Sequence, residues 1–464
     1  MPASGGGWPG GADPETGGRG AAGAGPSGPV THVEEPRSGA DPVALGELPA
    51  GRRGWRSMAI DVTPLRRHRE FRLLYAGQAV TFLGSMITYV ALPYQVYALT
   101  RSTFLVGLLG LVEFVAMLSM AFVGGALADS TDRRRMVQVT EGSLLLVSLL
   151  LVANASLDHP SVIVLFVAAG LATMLDALQR PSLDALLPRL VPRTELTAAA
   201  ALTSLRGTVG MIGGPALGGV LIATIGLGAT YAVDVVSFAV SLIMLNRMRA
   251  VPPPPDAARP SLRGVADGIR FAGSRPELMG TYLVDINAMF FGMPNALFPA
   301  LAVHYGGAEV VGLLYTAPAV GAFVATATSG WTGRVHRHGA AVLWAAALWG
   351  AAILGFGLVD RLWPALALLA LAGAADMVSG IFRSTIWNTT IPDHLRGRLA
   401  GIELISYSSG PTLGNVEAGA LASVTTPRFS AAFGGAACVV GTLALAAARP
   451  AFRRYDDRTA LTQG

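Results

Sequence analysis

Apolar runs of about 20 residues recur twelve times along this chain, most of them separated by gaps too short to hold a folded soluble domain. The predicted spans cover residues 73–98, 103–127, 135–155, 161–180, 197–223, 229–248, 278–302, 309–331, 339–359, 363–386, 398–423 and 429–448. A helix of that length matches the roughly 30 Å hydrocarbon core of a bilayer, where every backbone polar group must find its partner inside the segment. Charged residues are only 14% of the 464 and apolar residues 52%, whereas soluble domains carry about 25% charged residues. The expected fold is therefore an all-α integral membrane protein with twelve transmembrane helices.

Arginines set the orientation. All 34 basic residues are arginine. Arg101, Arg361 and Arg428 fall in gaps assigned to the outside, and Arg206 falls inside a span. Nearly all the others crowd the termini and the alternate gaps, which places both termini in the cytoplasm. The same reading assigns the basic excess to topology, with no nucleic-acid partner. Residues 1–64 form a Gly/Pro-rich cytoplasmic tail without a cleavable signal peptide, and 65–250 a first six-helix bundle. Residues 251–276 are a cytoplasmic linker that opens on four prolines and carries a short amphipathic helix, 277–448 a second bundle, and 449–464 a cytoplasmic tail.

The two bundles read as parallel repeats. Gly210, Gly214, Pro215, Gly218 and Gly219 lie within span 5, and Gly410, Pro411 and Gly414 echo their centre 196 residues later. Pro93 and Pro299 correspond at an offset of 206, and Gly125 and Gly330 at 205. Glycines 210, 214 and 218 share one helical face and let a second backbone approach closely. Span 8, through the segment Ala317 to Ala322, offers a similarly small surface.

Between spans 2 and 3, Gly125, Leu127, Asp129, Arg133 and Arg134 form a cytoplasmic loop motif, with Ser130 and Asp132 departing from its usual form. This motif resembles the signature of the major facilitator superfamily. Phe71–Leu74 with Gly77–Gln78, Asp176–Pro181, Ala185–Pro192, Pro294–Ala300, and Pro392 with Arg396–Arg398 are similar to the enterobactin-exporter-like, drug-efflux branch. The resemblance covers about residues 61–448. It implies a major facilitator fold whose motif loop gates the cytoplasmic side against span 11. It further implies that spans 1, 4, 7 and 10 line a cavity, and that the glycine string of span 5 is an antiporter motif.

Charges within spans are expensive, roughly 2.5–3.5 kcal/mol each at mid-membrane, and so mark function or pairing. The acidic set is Glu113, Glu141, Asp176, Asp234, Asp285, Asp376, Glu403 and Glu417, with Arg206 read as the deeply placed cation. Asp285, Glu113 and Arg206 are the proton-coupling candidates; Glu113 and Arg206 could pair across spans 2 and 5, and Asp234 reads as an interhelical tie. Met86, Tyr89, Asn287, Met289, Phe290, Phe291 and Asn295 are the candidate lining of a broad amphiphile cavity.

No nucleophile elbow, zinc spacing or phosphate loop occurs, so no enzymatic activity is expected, and neither a metal nor a bound cofactor. The reading is a monomeric multi-pass transporter of the cytoplasmic membrane, with the bilayer and a small amphiphilic molecule, siderophore-like or drug-like, as partners. It would export by alternating access, driven by the proton motive force. An uptake symporter and a non-transporting sensor or partner subunit are the alternatives.

Overall fold

The computed structural model describes residues 60–130, 132–249, 275–391, 393–456 and 458, without the side chains of 121–130 and 393–408. The expected N-terminal tail up to residue 59 and most of the linker, amphipathic stretch included, lie outside the described residues. All regular structure among these residues is helical. A short α1 (Thr63–Arg67) leads into α2 (Arg69–Thr100), α3 (Thr103–Ser130), α4 (Arg133–Ala155), α5 (Val162–Leu190) and α6 (Leu196–Asn246). Beyond the linker follow α7 (Pro276–Phe291), α8 (Phe298–Tyr305), α9 (Ala308–Ala327), α10 (His338–Leu358), α11 (Leu362–Thr390), α12 (Asp393–Val424), α13 (Pro427–Ala448) and α14 (Pro450–Arg453).

Ten helical segments among the described residues are long and apolar enough to cross a membrane. Their outer faces carry large apolar side chains such as Ile163, Trp344 and Trp363, each about three-quarters exposed. That pattern suits a lipid solvent and would aggregate in water. Helix α6 is 51 residues long, about 76 Å at 1.5 Å per residue, far beyond one bilayer crossing. Gly226 resolves this. Its φ of 77° and ψ of 171° break the helix and let the chain turn back, a conformation that glycine adopts without steric cost.

The span expected to run unbroken over 278–302 is interrupted. Helix α7 stops at Phe291, a 3-10 turn covers Asn295–Leu297, and α8 resumes with Pro299 in its first turn. Pro294 has no N–H to give the helix. The freed backbone groups are recaptured from other helices: Ala296 N–H donates to Asn415 Oδ1 at 3.0 Å, and the Tyr315 hydroxyl donates to the Asn295 carbonyl at 3.2 Å.

The loop motif is mostly helix. Helix α3 continues to Ser130, and Asp132 is the N-cap of α4, its Oδ1 accepting from Arg135 N–H at 3.2 Å. The departure from the family pattern at Asp132 is thus a cap. Asp132→Ala should lower stability by about 1 kcal/mol, read as a lower melting temperature in detergent. Arg133 donates to the Ala185 carbonyl of α5 (3.1 Å), and Arg134 to the Leu245 and Asn246 carbonyls at the end of α6 (2.8 and 3.0 Å). The Leu245 and Asn246 carbonyls lie in the last turn of α6, where basic side chains commonly bond the terminal acceptors. The side chain of Asp129, and those at the start of α12 expected to face it, are outside the described residues.

The glycines of α6 act as spaced gaps. Gly210 packs on Phe82, Gly214 on Met86 and Gly218 on Ile87 of α2. Gly219 meets α9 instead, where a Cβ would lie 2.8 Å from the Glu309 oxygen and the Gly312 nitrogen. Thr316 donates to the Ile212 carbonyl one turn further along (3.1 Å). The partner surface is therefore Gly312 and Thr316, whereas Pro318 and Gly321 of the expected segment pack on Gly373 and Ala370 of α11. The α12 copy is arranged alike: Gly410 and Gly414 pack on Met289 and Phe290 of α7, and Gly419 accepts a bond from Thr103 of α3 at 2.9 Å. Gly107 of α3 faces the Asn415 backbone as Gly312 faces Pro215.

Candidate functional site

Two cavities lie side by side between these helices. The first, about 320 Å³, is walled mainly by α2 to α6, and the second, about 340 Å³, by α2, α6, α7, α9, α10 and α11. Met86, Tyr89, Asn295 and Tyr315 line both. The Tyr89 and Tyr315 rings meet edge to face at 5.4 Å, and Asn295 Nδ2 reaches the Tyr89 hydroxyl at 3.5 Å. These side chains form a thin partition between the two spaces. Five methionines, Met86, Met211, Met289, Met293 and Met377, border the second cavity, giving it a soft wall that can adapt to irregular apolar shapes.

The first cavity holds an acidic network. Glu141 is 1% exposed, and its Oε1 accepts from Gln78 Nε2 at 2.5 Å and Gln179 Nε2 at 3.3 Å. The Ser241 hydroxyl supplies a further hydrogen bond to this carboxylate. Asp234 accepts from Thr88 (3.0 Å) and Ser148 (2.9 Å) on Oδ2 and from Ser237 (3.2 Å) on Oδ1, which ties α6 to α2 and α4 as an interhelical tie would. Glu113 and Asp176 also line this cavity.

A second ionic cluster sits among α7 and α11. Asp285 is 5% exposed and forms an ion pair with Arg383, whose other terminal nitrogen lies 3.4 Å from Asp376 Oδ1. Asp376 borders the second cavity. Burying an ion pair repays its desolvation only with good geometry and further hydrogen bonds, and here one guanidinium serves two carboxylates. The cluster therefore carries a formal charge of −1 while both acids are ionised.

The cation beside these acids is Arg383 and not the expected Arg206, because an arginine so near the end of a span reads as a topology signal. The available signal was spacing: residues 376 and 383 are two turns apart and share a helix face. Arg206 lies toward Tyr75 and Asp184 and lines neither cavity. It does not meet Glu113, because α6 packs on α2, α4 and α9 while α3 packs on α5 and α12. Met86, Tyr89, Met289 and Asn295 do border the cavities. Asn287 does not; it turns to α13 and donates to the Cys438 carbonyl (3.0 Å) and the Thr442 hydroxyl (3.2 Å). Phe290 and Phe291 pack edge to face at 4.9 Å, with Phe291 against the core, and neither is part of a cavity wall.

Comparison with known proteins agrees with this architecture. The sequence profile of the transmembrane secretion effector family matches residues 59–461. The enterobactin exporter of Citrobacter koseri is 29% identical over 409 residues, covering 88% of this chain and 98% of that protein. The enterobactin exporter of Shigella boydii serotype 4 is 29% identical over 391 residues, covering 84% and 94%. Among solved structures, a bacterial homologue of the iron transporter ferroportin in its inward-facing state aligns with a TM-score of 0.65 at 16% identity, over 82% of this chain and 98% of that one. The nucleoside transporter NupG aligns at 0.66 and 12% identity, over 81% and 98%. These structural likenesses speak for the fold alone. With a profile match spanning most of its length, the chain belongs to the transmembrane secretion effector family of the major facilitator superfamily, multi-pass membrane transporters and not enzymes.

Proposed function

We propose that this protein is a proton-driven exporter of amphiphilic small molecules, siderophore-like or drug-like, working by alternating access in the cytoplasmic membrane. Dividing α6 at Gly226, joining α7 to α8, and adding α12 gives twelve crossings in two bundles, with both termini in the cytoplasm. The observation that carries the reading is the pair of cavities between the helix groups, with the Asp285–Arg383–Asp376 cluster reaching the wall of the second through Asp376. The exporter relatives support the direction of transport.

In the arrangement described, the helix groups touch through Gly219–Gly312, Thr316–Ile212 and Thr103–Gly419. By the arginine count these contacts belong to the outer end, so this state opens inward. Asp285 exchanges its ion pair for a proton when α7 and α11 separate, and returns it when they close. The proton removes a buried negative charge that would otherwise oppose that separation. The flexible, methionine-bordered second cavity receives the apolar body of the substrate.

The test uses everted vesicles under an imposed pH gradient, challenged with siderophores and hydrophobic antibiotics. Asp285→Asn should abolish gradient-driven accumulation, at least about a hundredfold, while leaving substrate binding within about twofold. Undiminished active export by the variant would remove Asp285 from the coupling step.

A further inference from the structure

We infer that the two cavities are lobes of one substrate site, divided by a movable partition of side chains, and that the amphiphile it takes is bipartite. A body bearing several hydroxyl groups fills the first lobe, and an aryl or alkyl body joined to it fills the second. This rests on the export reading above. The lobes differ in chemistry. Gln78, Ser85, Thr88, Thr173 and Gln179 line the first beside its acids, a wall of donors and acceptors that suits a hydroxyl-rich body. Methionines and prolines, with Trp349, Ile353 and Leu369, make the second wall largely apolar.

Neither lobe is large. At about 320 and 340 Å³, each stands near the lower end of the roughly 300–1,000 Å³ range of ligand sites. One lobe accepts a fragment, and the joined pair accepts a whole amphiphile. What divides them is the set of four side chains common to both walls, Met86, Tyr89, Asn295 and Tyr315.

That set is firmly held on one side and loosely on the other. Within the second bundle, the Tyr315 hydroxyl donates to the Asn295 carbonyl at 3.2 Å, and its ring meets Phe298 edge to face at 4.9 Å. Across to Tyr89 of the first bundle run the ring contact at 5.4 Å and the 3.5 Å approach of Asn295 Nδ2, the outer limit of a hydrogen bond. Tyr89 is 43% exposed although it lines the cavities, so its ring has space to turn into. Met86, one turn before it on the same face of α2, is unbranched and adapts its shape. Rocking of one bundle against the other draws Tyr89 away from Tyr315 and Asn295 and joins the lobes.

The experiment uses the purified full-length protein in lipid nanodiscs and an uncharged fluorescent probe, methylumbelliferyl cellobioside, with its two halves, methylumbelliferone methyl ether and cellobiose. The joined probe should bind saturably and at least about tenfold more tightly than either half, because its second half binds at the effective concentration set by the linkage. Each half should displace the joined probe, and the halves should not displace each other. Ala172 lines the first lobe alone and Ala319 the second alone, so a larger side chain at either position fills one lobe. Ala172→Phe should weaken cellobiose, Ala319→Phe should weaken the methyl ether, and both should weaken the joined probe at least about tenfold. The half that each variant still binds shows that it has folded. Tyr89→Ala, which removes the first bundle's side of the partition, should speed association of the joined probe more than that of either half.

Mutual displacement of the halves, indifference of the joined probe to either filled lobe, or the absence of its saturable binding overturns the inference. Association of the joined probe as slow in Tyr89→Ala as in the wild type overturns the partition as a barrier. If everted vesicles still concentrate a compound under a pH gradient in any of these cases, the export reading stands. Two-lobed binding without gradient-driven transport of any compound supports the site and overturns the export reading instead.

Discussion

Arg383→Gln should cost about 3–5 kcal/mol of stability, enough to remove most folded protein from the membrane. Adding Asp285→Asn to the same chain should restore most of it. The loss follows from charge: the guanidinium lies between Asp285 and Asp376, and its removal leaves the buried Asp285 carboxylate without its cation and beside a second carboxylate. Neutralising one of them relieves the repulsion and returns the cluster to a single negative charge. The measurement is fluorescence-detected size exclusion with thermal melting in detergent, applied to both single variants and the double. A double-mutant cycle then isolates the coupling between Arg383 and Asp285, which should lie within the roughly 0.5–3 kcal/mol seen for residues in contact. Wild-type melting of Arg383→Gln would mean that the pair contributes nothing to the fold.

This cluster also marks where the sequence ceased to be readable. Helices were legible because a lipid solvent demands long apolar stretches, and neither Pro93 nor Pro215 disguises one. Their breaks were less so. The interruption at Gly292–Leu297 depends on Asn415 and Tyr315 arriving from α12 and α9 to hold the freed backbone groups, and no local pattern announces that. Arg383 was hidden by the rule that served elsewhere. An arginine near a helix end ordinarily reports topology, but α11 runs on to Thr390 and carries this one inside. Asn287 failed for a simpler reason. Residue 287 lies about 200° around α7 from 285, so a side chain two positions from Asp285 faces another neighbour.

Gly312→Val should cut gradient-driven transport more than tenfold while the protein still reaches the membrane. A Cβ at Gly312 would run into the Pro215 carbonyl and come within about 3 Å of the Gly219 backbone, and a Cβ at Gly219 would meet Gly312 in return. These are main-chain atoms, so no rotamer change relieves the contact and α6 and α9 must move apart. The glycine faces toward α2 remain intact, since Gly210, Gly214 and Gly218 pack on a different helix. The variant therefore strains the junction between the two helix groups without dismantling either. In the alternating-access reading that junction has to close in one half of the cycle, and a wedge there holds it open. A thiol introduced at Met293, bordering the second cavity, should then be labelled from the outside faster than in the parent chain. Gly207 supplies the control, since a Cβ there meets nothing within 4 Å. Gly207→Ala should leave transport unchanged and even steady the helix by about 1 kcal/mol. Wild-type turnover and labelling in Gly312→Val would show that α6 and α9 keep a fixed distance throughout the cycle, and the moving joint would then have to be sought at Thr103–Gly419 instead.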